Sequence, residues 1–165
     1  MYPVGSQPAR TYALPKMHKV SKNNSLPTFR PIISTIGTYN YNLAKHLCHL
    51  LSPHVPKQLC TLDSFSFDKE LKQTNVTNKF IVSFGVESLF TNIPLKEAIN
   101  IATDLFFKDK NKSKRFSKIH LKKLLQIFTS RSHFLFDGKY YDQTDGVAMG
   151  SPLAPILANI FCWIS

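Results

Sequence analysis

Apolar residues recur at helical spacing along several stretches of the chain. Residues 39–51 predict one such helix, residues from about Pro94 to Phe107 predict another, and Ser117 opens a third. The residues expected on their apolar faces are, in chain order, Leu43, Leu47, Leu50 and Leu51, then Leu95, Ile99, Ala102 and Phe106, then Leu121, Leu124, Leu125 and Phe128.

Two further helices are predicted from the residues at which they begin. Residues 63–73 suit a short helix, because Asp63 or Ser64 can accept hydrogen bonds from the exposed N–H groups of its first turn. A final helix is expected to start near Ser151 and Pro152 and to continue to the last residues of the sequence.

Strand signals lie between these helices. Residues 1–37, rich in Pro, Ser and Asn, are interpreted as strands and loops, and the apolar run KFIVSF at residues 79–84 predicts a buried strand. HFLFDGKYYDQ predicts a hairpin, because Asp137 and Gly138 can take the positive φ angles of a tight turn. Strands between helices, with one hairpin, indicate an α+β fold.

The charge of the chain is strongly unbalanced. It has 21 Lys and Arg against 10 Asp and Glu, a formal net charge of +11, and no acidic residue precedes Asp63. This excess favours a polyanionic partner, since phosphate contacts release counterions; simple solubility is the alternative reading. Within the basic linker at residues 108–118, a candidate nuclear-import signal is formed by Lys110, Lys112, Lys114 and Arg115.

The cysteine spacing and the apolar segments indicate the cellular environment of the protein. Cys48, Cys60 and Cys162 form no close pair, which argues against a disulfide framework, and their spacing with nearby histidines fits no usual zinc pattern. The N-terminus has no signal peptide, and no stretch approaches the roughly 20 apolar residues of a membrane span. We therefore expect an intracellular protein without a membrane partner.

Three regions carry candidate chemistry. Residues 83–94 read SFGVESLFTNIP, residues 145–160 read DGVAMGSPLAPILANI, and the N-terminal part contains YALPKMHK at 12–19 and FRPIIS at 29–34. Together they resemble the catalytic core of a reverse transcriptase of the Penelope-like retroelement kind, and the resemblance spans residues 10–163.

This resemblance implies a truncated right-hand polymerase, with a fingers-like part at about residues 1–78 and an incomplete palm with intervening helices at about residues 79–165. The implied activity is RNA-directed DNA synthesis, with Mg²⁺ as cofactor and an RNA template and DNA primer as partners. Without the remainder of the palm, the KFIVSF strand would lose a pairing edge and the final helix part of its packing at Leu157, Ile160, Phe161 and Trp163. Exposed strand edges template aggregation, so we expect poor solubility.

The resemblance also assigns nucleotide-binding roles. Lys16 and Arg30 would contact the triphosphate or the template, and an arginine suits this because its planar fork binds phosphate oxygens bidentately. Phe90 resembles the steric gate beneath the incoming sugar; its alternative role is that of a core aromatic. In the second palm motif the glycines let the backbone approach a nucleotide closely, and the residues assigned there are Gly146, Met149, Gly150 and Ser151.

The metal ligands implied by the family are missing. Its first motif reads F-D-V-x-S-L-F-T-N-I-P, and the Asp that holds the catalytic metals is Gly85 here. Glu87 lies two residues along and is not expected to substitute, because coordination tolerates little displacement. The later Tyr-x-Asp-Asp motif is not among the 165 residues. We therefore expect no intact catalytic residue, no bound metal and no polymerase activity; the alternative is a non-catalytic remnant that binds nucleic acid.

Overall fold

A computed structural model of the chain describes residues 5–16, 27–55, 63–75, 77–108, 117–130 and 133–164. In these ranges it contains four strands and six helices, which confirms the predicted α+β class. The strands are β1 (Ala9–Pro15), β2 (Phe29–Ser34), β3 (His133–Phe136) and β4 (Lys139–Asp142). The helices are α1 (Tyr41–Leu51), followed by a 3₁₀ turn (Ser52–His54), α2 (Ser64–Gln73), α3 (Leu89–Asn92), α4 (Leu95–Lys108), α5 (Lys118–Ser130) and α6 (Ala154–Ile164).

The strands form one mixed sheet in the order β2-β1-β3-β4. β1 runs antiparallel to β2 and parallel to β3, and β3 and β4 are the two arms of the predicted hairpin. Its turn is formed by Asp137 and Gly138, with φ angles of 47° and 71°, as the sequence predicts. The sheet thus joins strands from both predicted parts, residues 1–78 and residues 79–165.

The hydrophobic core lies among the helices. α4 packs against α5 and α6, and the buried residues follow the predicted helical spacing. The fully buried large side chains include Leu47, Leu51, Phe106, Leu121, Leu125, Leu153, Leu157 and Ile160. Burying a Leu or Phe side chain stabilises a fold by about 1.5–3 kcal/mol, so this cluster dominates the stability of the chain.

Polar side chains mark two of the predicted helix starts. The Asp63 carboxylate accepts a hydrogen bond from the Ser66 N–H at 2.8 Å, and the Ser117 hydroxyl accepts one from the His120 N–H at 3.3 Å. The Ser66 backbone hydrogen bond holds the pKa of Asp63 below its ordinary value of 3.8. α2 begins where the sequence predicts, yet none of its residues is buried.

Three predictions about the interior are wrong. Residues 79–84 form no strand and are exposed, because a strand needs a partner for its N–H and C=O groups and no described segment pairs with this one. In α1 it is Ala44 that is buried, while the predicted Leu43 is exposed. In α6 Leu157 and Ile160 do not lack packing, since α4 lies against the helix.

Some predictions fall outside the described ranges. These are the basic linker from 109 to 116 with its candidate import signal, residues 17–19 of the N-terminal motif, and Cys60. Among the helices of the described ranges, none is long and apolar enough to cross a membrane.

Candidate functional site

A cleft of about 670 Å³ is lined by residues from distant parts of the sequence. They come from the end of β1, from β2, from the segment that leads into α3, and from the loop before α6. Six positions discussed from the sequence are among them, namely Lys16, Arg30, Gly85, Glu87, Phe90 and Met149.

The pairing of β1 with β2 sets the positions of the two cations of the cleft. Leu14 lies opposite Arg30 in the antiparallel register, and the Lys16 N–H donates to the Thr28 carbonyl at 2.8 Å. Positions 14 and 16 share one face of a strand, and cross-strand partners share that face too. Lys16 and Arg30 therefore lie on the same side of the sheet, and neither forms an ion pair with another described residue.

A local turn brings Phe90 to the cleft. Ser88 has a left-handed backbone, with φ at 51°, and its carbonyl accepts the N–H groups of Thr91 and Asn92 at 3.1 and 3.2 Å. α3 begins at this turn, shortly after Gly85. Phe90 is half-buried: it packs against the helical core and also lines the cleft, so its position suits both roles considered from the sequence.

A glycine is needed at position 146 because the loop before α6 approaches the backbone of α3 closely there. Its φ is 69°, and an added Cβ would lie 2.6 Å from the Thr91 carbonyl oxygen. The next residue, Val147, donates its N–H to the Phe90 carbonyl at 2.7 Å. The loop before α6 is therefore fixed to α3 by main-chain contact.

Gly150 makes the corresponding contact with the sheet. Its φ is 126°, and a Cβ would lie 2.4 Å from the Ile33 carbonyl oxygen. Beside it the Ile33 N–H donates to the Met149 carbonyl at 2.9 Å, and the Thr35 hydroxyl donates to the Gly150 carbonyl at 3.2 Å. Both glycines are thus explained by contacts within the protein, and their predicted approach to a nucleotide stays a prediction.

A second cavity of about 480 Å³ adjoins the first, and Phe90 and Met149 line both. Gly150 and Ser151 line the second cavity and Gly146 lines neither, so the predicted nucleotide-binding residues do not share one space. Sequence reasoning missed Lys45 and His49 of α1, which line this second cavity. Their i, i+4 spacing is the signal that places them on one helix face.

The cleft offers few ligands for a metal ion. Gly85 has no side chain that could bind a metal ion, and among the described residues that line the cleft Glu87 is the only one with a carboxylate. Mg²⁺ prefers an octahedral shell of oxygen ligands, and two-metal sites need clustered carboxylates. The residues present therefore do not fit a two-metal site. Within the described ranges no group of three or more His, Cys, Asp and Glu side chains could hold a metal ion.

The chain was compared with models of known protein families and with curated proteins, and neither comparison gives a match. Its function is therefore inferred from its motifs and from the geometry of the cleft.

Proposed function

We propose that this chain is part of a reverse transcriptase of the Penelope-like retroelement kind, in a form that has lost RNA-directed DNA polymerase activity. One observation supports the proposal most strongly. Four of the seven residues that the resemblance assigns to nucleotide binding line a single cleft although they come from separate motifs, namely Lys16, Arg30, Phe90 and Met149. Gly85, at the expected metal-ligand position, lines the same cleft.

The chemistry of the cleft suits a nucleoside triphosphate. Lys16 and Arg30 supply two positive charges on one face of the sheet for the phosphate oxygens. Phe90 and Met149 supply an apolar surface for the sugar and base. The cleft volume of about 670 Å³ lies within the usual range for small-molecule sites.

The proposed loss of activity rests on Gly85. Its backbone has no positive φ, and nothing lies within 4 Å of an added Cβ. The fold therefore does not require a glycine here, and an aspartate would fit. With Gly85 in place the cleft lacks the carboxylate by which the first polymerase motif holds metal.

A second candidate function is nucleic-acid binding without any nucleotide site. The net charge of +11 favours it, because counterion release drives binding to any polyanion. The two candidates differ in whether the protein binds a single triphosphate in the cleft.

Equilibrium dialysis with labelled dTTP and with labelled UTP, in the presence of an RNA–DNA template–primer, tests the proposal. We expect saturable dTTP binding that Arg30→Ala weakens about tenfold or more, because a charge-assisted phosphate contact contributes about 1.5–3 kcal/mol. The matched control is Lys123→Ala, which removes an exposed cation of α5 outside the cleft. Phe90→Ala should reduce the difference between the binding affinities for dTTP and UTP, because the proposed steric gate against the 2′-hydroxyl is removed.

Two results would count against the polymerase proposal. One is template–primer binding without any saturable dTTP binding, which favours the nucleic-acid-binding alternative. The other is equal loss of dTTP binding in Arg30→Ala and Lys123→Ala, which indicates that net charge alone attracts the nucleotide.

A further inference from the structure

Residues 79–86 form the most exposed apolar segment of the described chain. Phe80, Val82, Phe84 and Val86 are 94%, 65%, 91% and 67% exposed, and Ile81 between them is 72% exposed. None of residues 79–86 makes a backbone hydrogen bond to another described residue. The segment therefore presents both unpaired main-chain groups and uncovered apolar side chains, the two properties that make a strand add to another chain.

We propose that residues 79–87 pair with the same residues of a second copy of this chain, as two antiparallel strands related by a two-fold axis at Ser83. In this register Lys79 of one copy lies opposite Glu87 of the other, at both ends of the paired segment. The inference does not depend on the polymerase proposal.

The charge pattern selects this arrangement. Lys79 and Glu87 are exposed, and they are the only charged residues in the segment. Antiparallel pairing about Ser83 makes two opposite-charge pairs, whereas parallel in-register pairing would place lysine against lysine and glutamate against glutamate. Like charges directly opposite one another destabilise a sheet, so the antiparallel arrangement is favoured.

The side chains between the charges also match. Phe80 lies opposite Val86, and Val82 opposite Phe84, so one face carries only aromatic and β-branched pairs. Such pairs are among the stabilising cross-strand combinations. On the other face Ile81 lies opposite Gly85, which leaves room for the larger side chain.

The two-fold axis makes the interface isologous, so one segment serves both copies. A two-stranded ribbon alone is marginally stable, and the dimer should therefore dissociate on dilution. Analytical ultracentrifugation of the 165-residue protein over a concentration series is expected to show a reversible monomer–dimer equilibrium.

Charge reversal tests the register. Lys79→Glu and Glu87→Lys should each weaken self-association about tenfold or more, because two attractive pairs become repulsive. Mixing the two variants should restore association, since each Glu of one chain then faces a Lys of the other. The double variant should associate like the original protein. A monomer at every concentration, or association unchanged by either single reversal, would overturn the proposal.

Cross-linking supplies a second test. In a background with its three cysteines replaced by serine, Ser83→Cys should form a disulfide-linked dimer, because directly opposite Cα atoms lie about 4.5–5.5 Å apart, within disulfide range. The matched control is Val86→Cys, whose opposite residue is Phe80. Equal cross-linking at both positions would indicate parallel pairing or unspecific aggregation and would contradict the two-fold arrangement.

Discussion

Replacing single glycines by alanine tests how the loop before α6 is held in place. Gly146 and Gly150 combine positive φ angles of 69° and 126° with main-chain oxygens 2.6 and 2.4 Å from an added Cβ. Gly138 has φ at 71° but nothing within 4 Å, and Gly85 has neither constraint. The four positions therefore separate the cost of backbone conformation from the cost of steric overlap.

The expected magnitudes follow from these two costs. A left-handed L-residue costs about 1–2 kcal/mol, and forcing an added methyl group into a packed region costs about 1–3 kcal/mol. Gly146→Ala and Gly150→Ala should thus lower the free energy of unfolding by about 2–5 kcal/mol. Gly138→Ala should lower it by about 1 kcal/mol. Gly85→Ala should leave it unchanged or raise it slightly, because alanine reduces the entropy of the unfolded chain.

Urea unfolding followed by far-ultraviolet circular dichroism measures all four free energies. The dilute protein should be used, so that self-association does not contribute to its apparent stability. If Gly146→Ala and Gly150→Ala destabilise no more than Gly138→Ala, the loop is not pressed against β2 and α3, and the described geometry of the cleft is refuted.

Three more predictions concern catalysis, nucleic-acid binding and pH. Neither the 165-residue chain nor its Gly85→Asp variant should extend a primer on an RNA template with Mg²⁺ or Mn²⁺, because the chain holds no Asp-Asp pair; incorporation above a no-enzyme control would contradict this. Binding of single-stranded RNA should fall about twentyfold between roughly 50 and 200 mM salt if about three phosphates are neutralised; a flat salt titration in filter binding would remove the electrostatic account. The Ser66 N–H depresses the pKa of folded Asp63, so the Asp63 carboxylate stabilises the start of α2 above pH 3.8, and this contribution is lost as the pH falls through the lowered pKa. A protection factor of the Ser66 amide that stays constant across this pH range, measured against the exchange rate of an unstructured peptide at each pH, would disprove it.

The helices of this chain are easier to predict from the sequence than the strands, because a helix depends only on residues close together in the sequence. A helix closes its own hydrogen bonds, so an apolar stripe and a capping residue such as Asp63 suffice to predict it. The stripe does not define the edge of the buried face, so it predicts Leu43 there although the structure buries Ala44. For KFIVSF the composition showed strand propensity but could not supply the partner that a strand requires.

The cleft could be predicted only as a set of residues, not as a geometry. The resemblance grouped Lys16, Arg30, Phe90 and Met149, but nothing in composition or periodicity shows that β1 and β2 bring two cations beside α3. The contacts that fix the loop join residues far apart in the sequence, by more than 50 positions between Phe90 and Val147 and by 115 between Thr35 and Gly150. Such contacts lie beyond any local pattern, and the second cavity with Lys45 and His49 depends on them.

Gly85 and Gly150 look alike in the sequence, yet their backbones separate them. At Gly150 any side chain would meet the Ile33 carbonyl, so the fold itself requires glycine there. At Gly85 the backbone is ordinary and the space is open, so the stability of the fold does not depend on which residue stands at that position. A carboxylate can therefore be lost at position 85 while Lys16 and Arg30 keep their places across the cleft. Under the proposed function, triphosphate binding and polymerase chemistry are therefore separable. Gly85→Asp should raise the affinity for Mg²⁺ while leaving the unfolding free energy within about 0.5 kcal/mol of the original, as for other unconstrained surface positions.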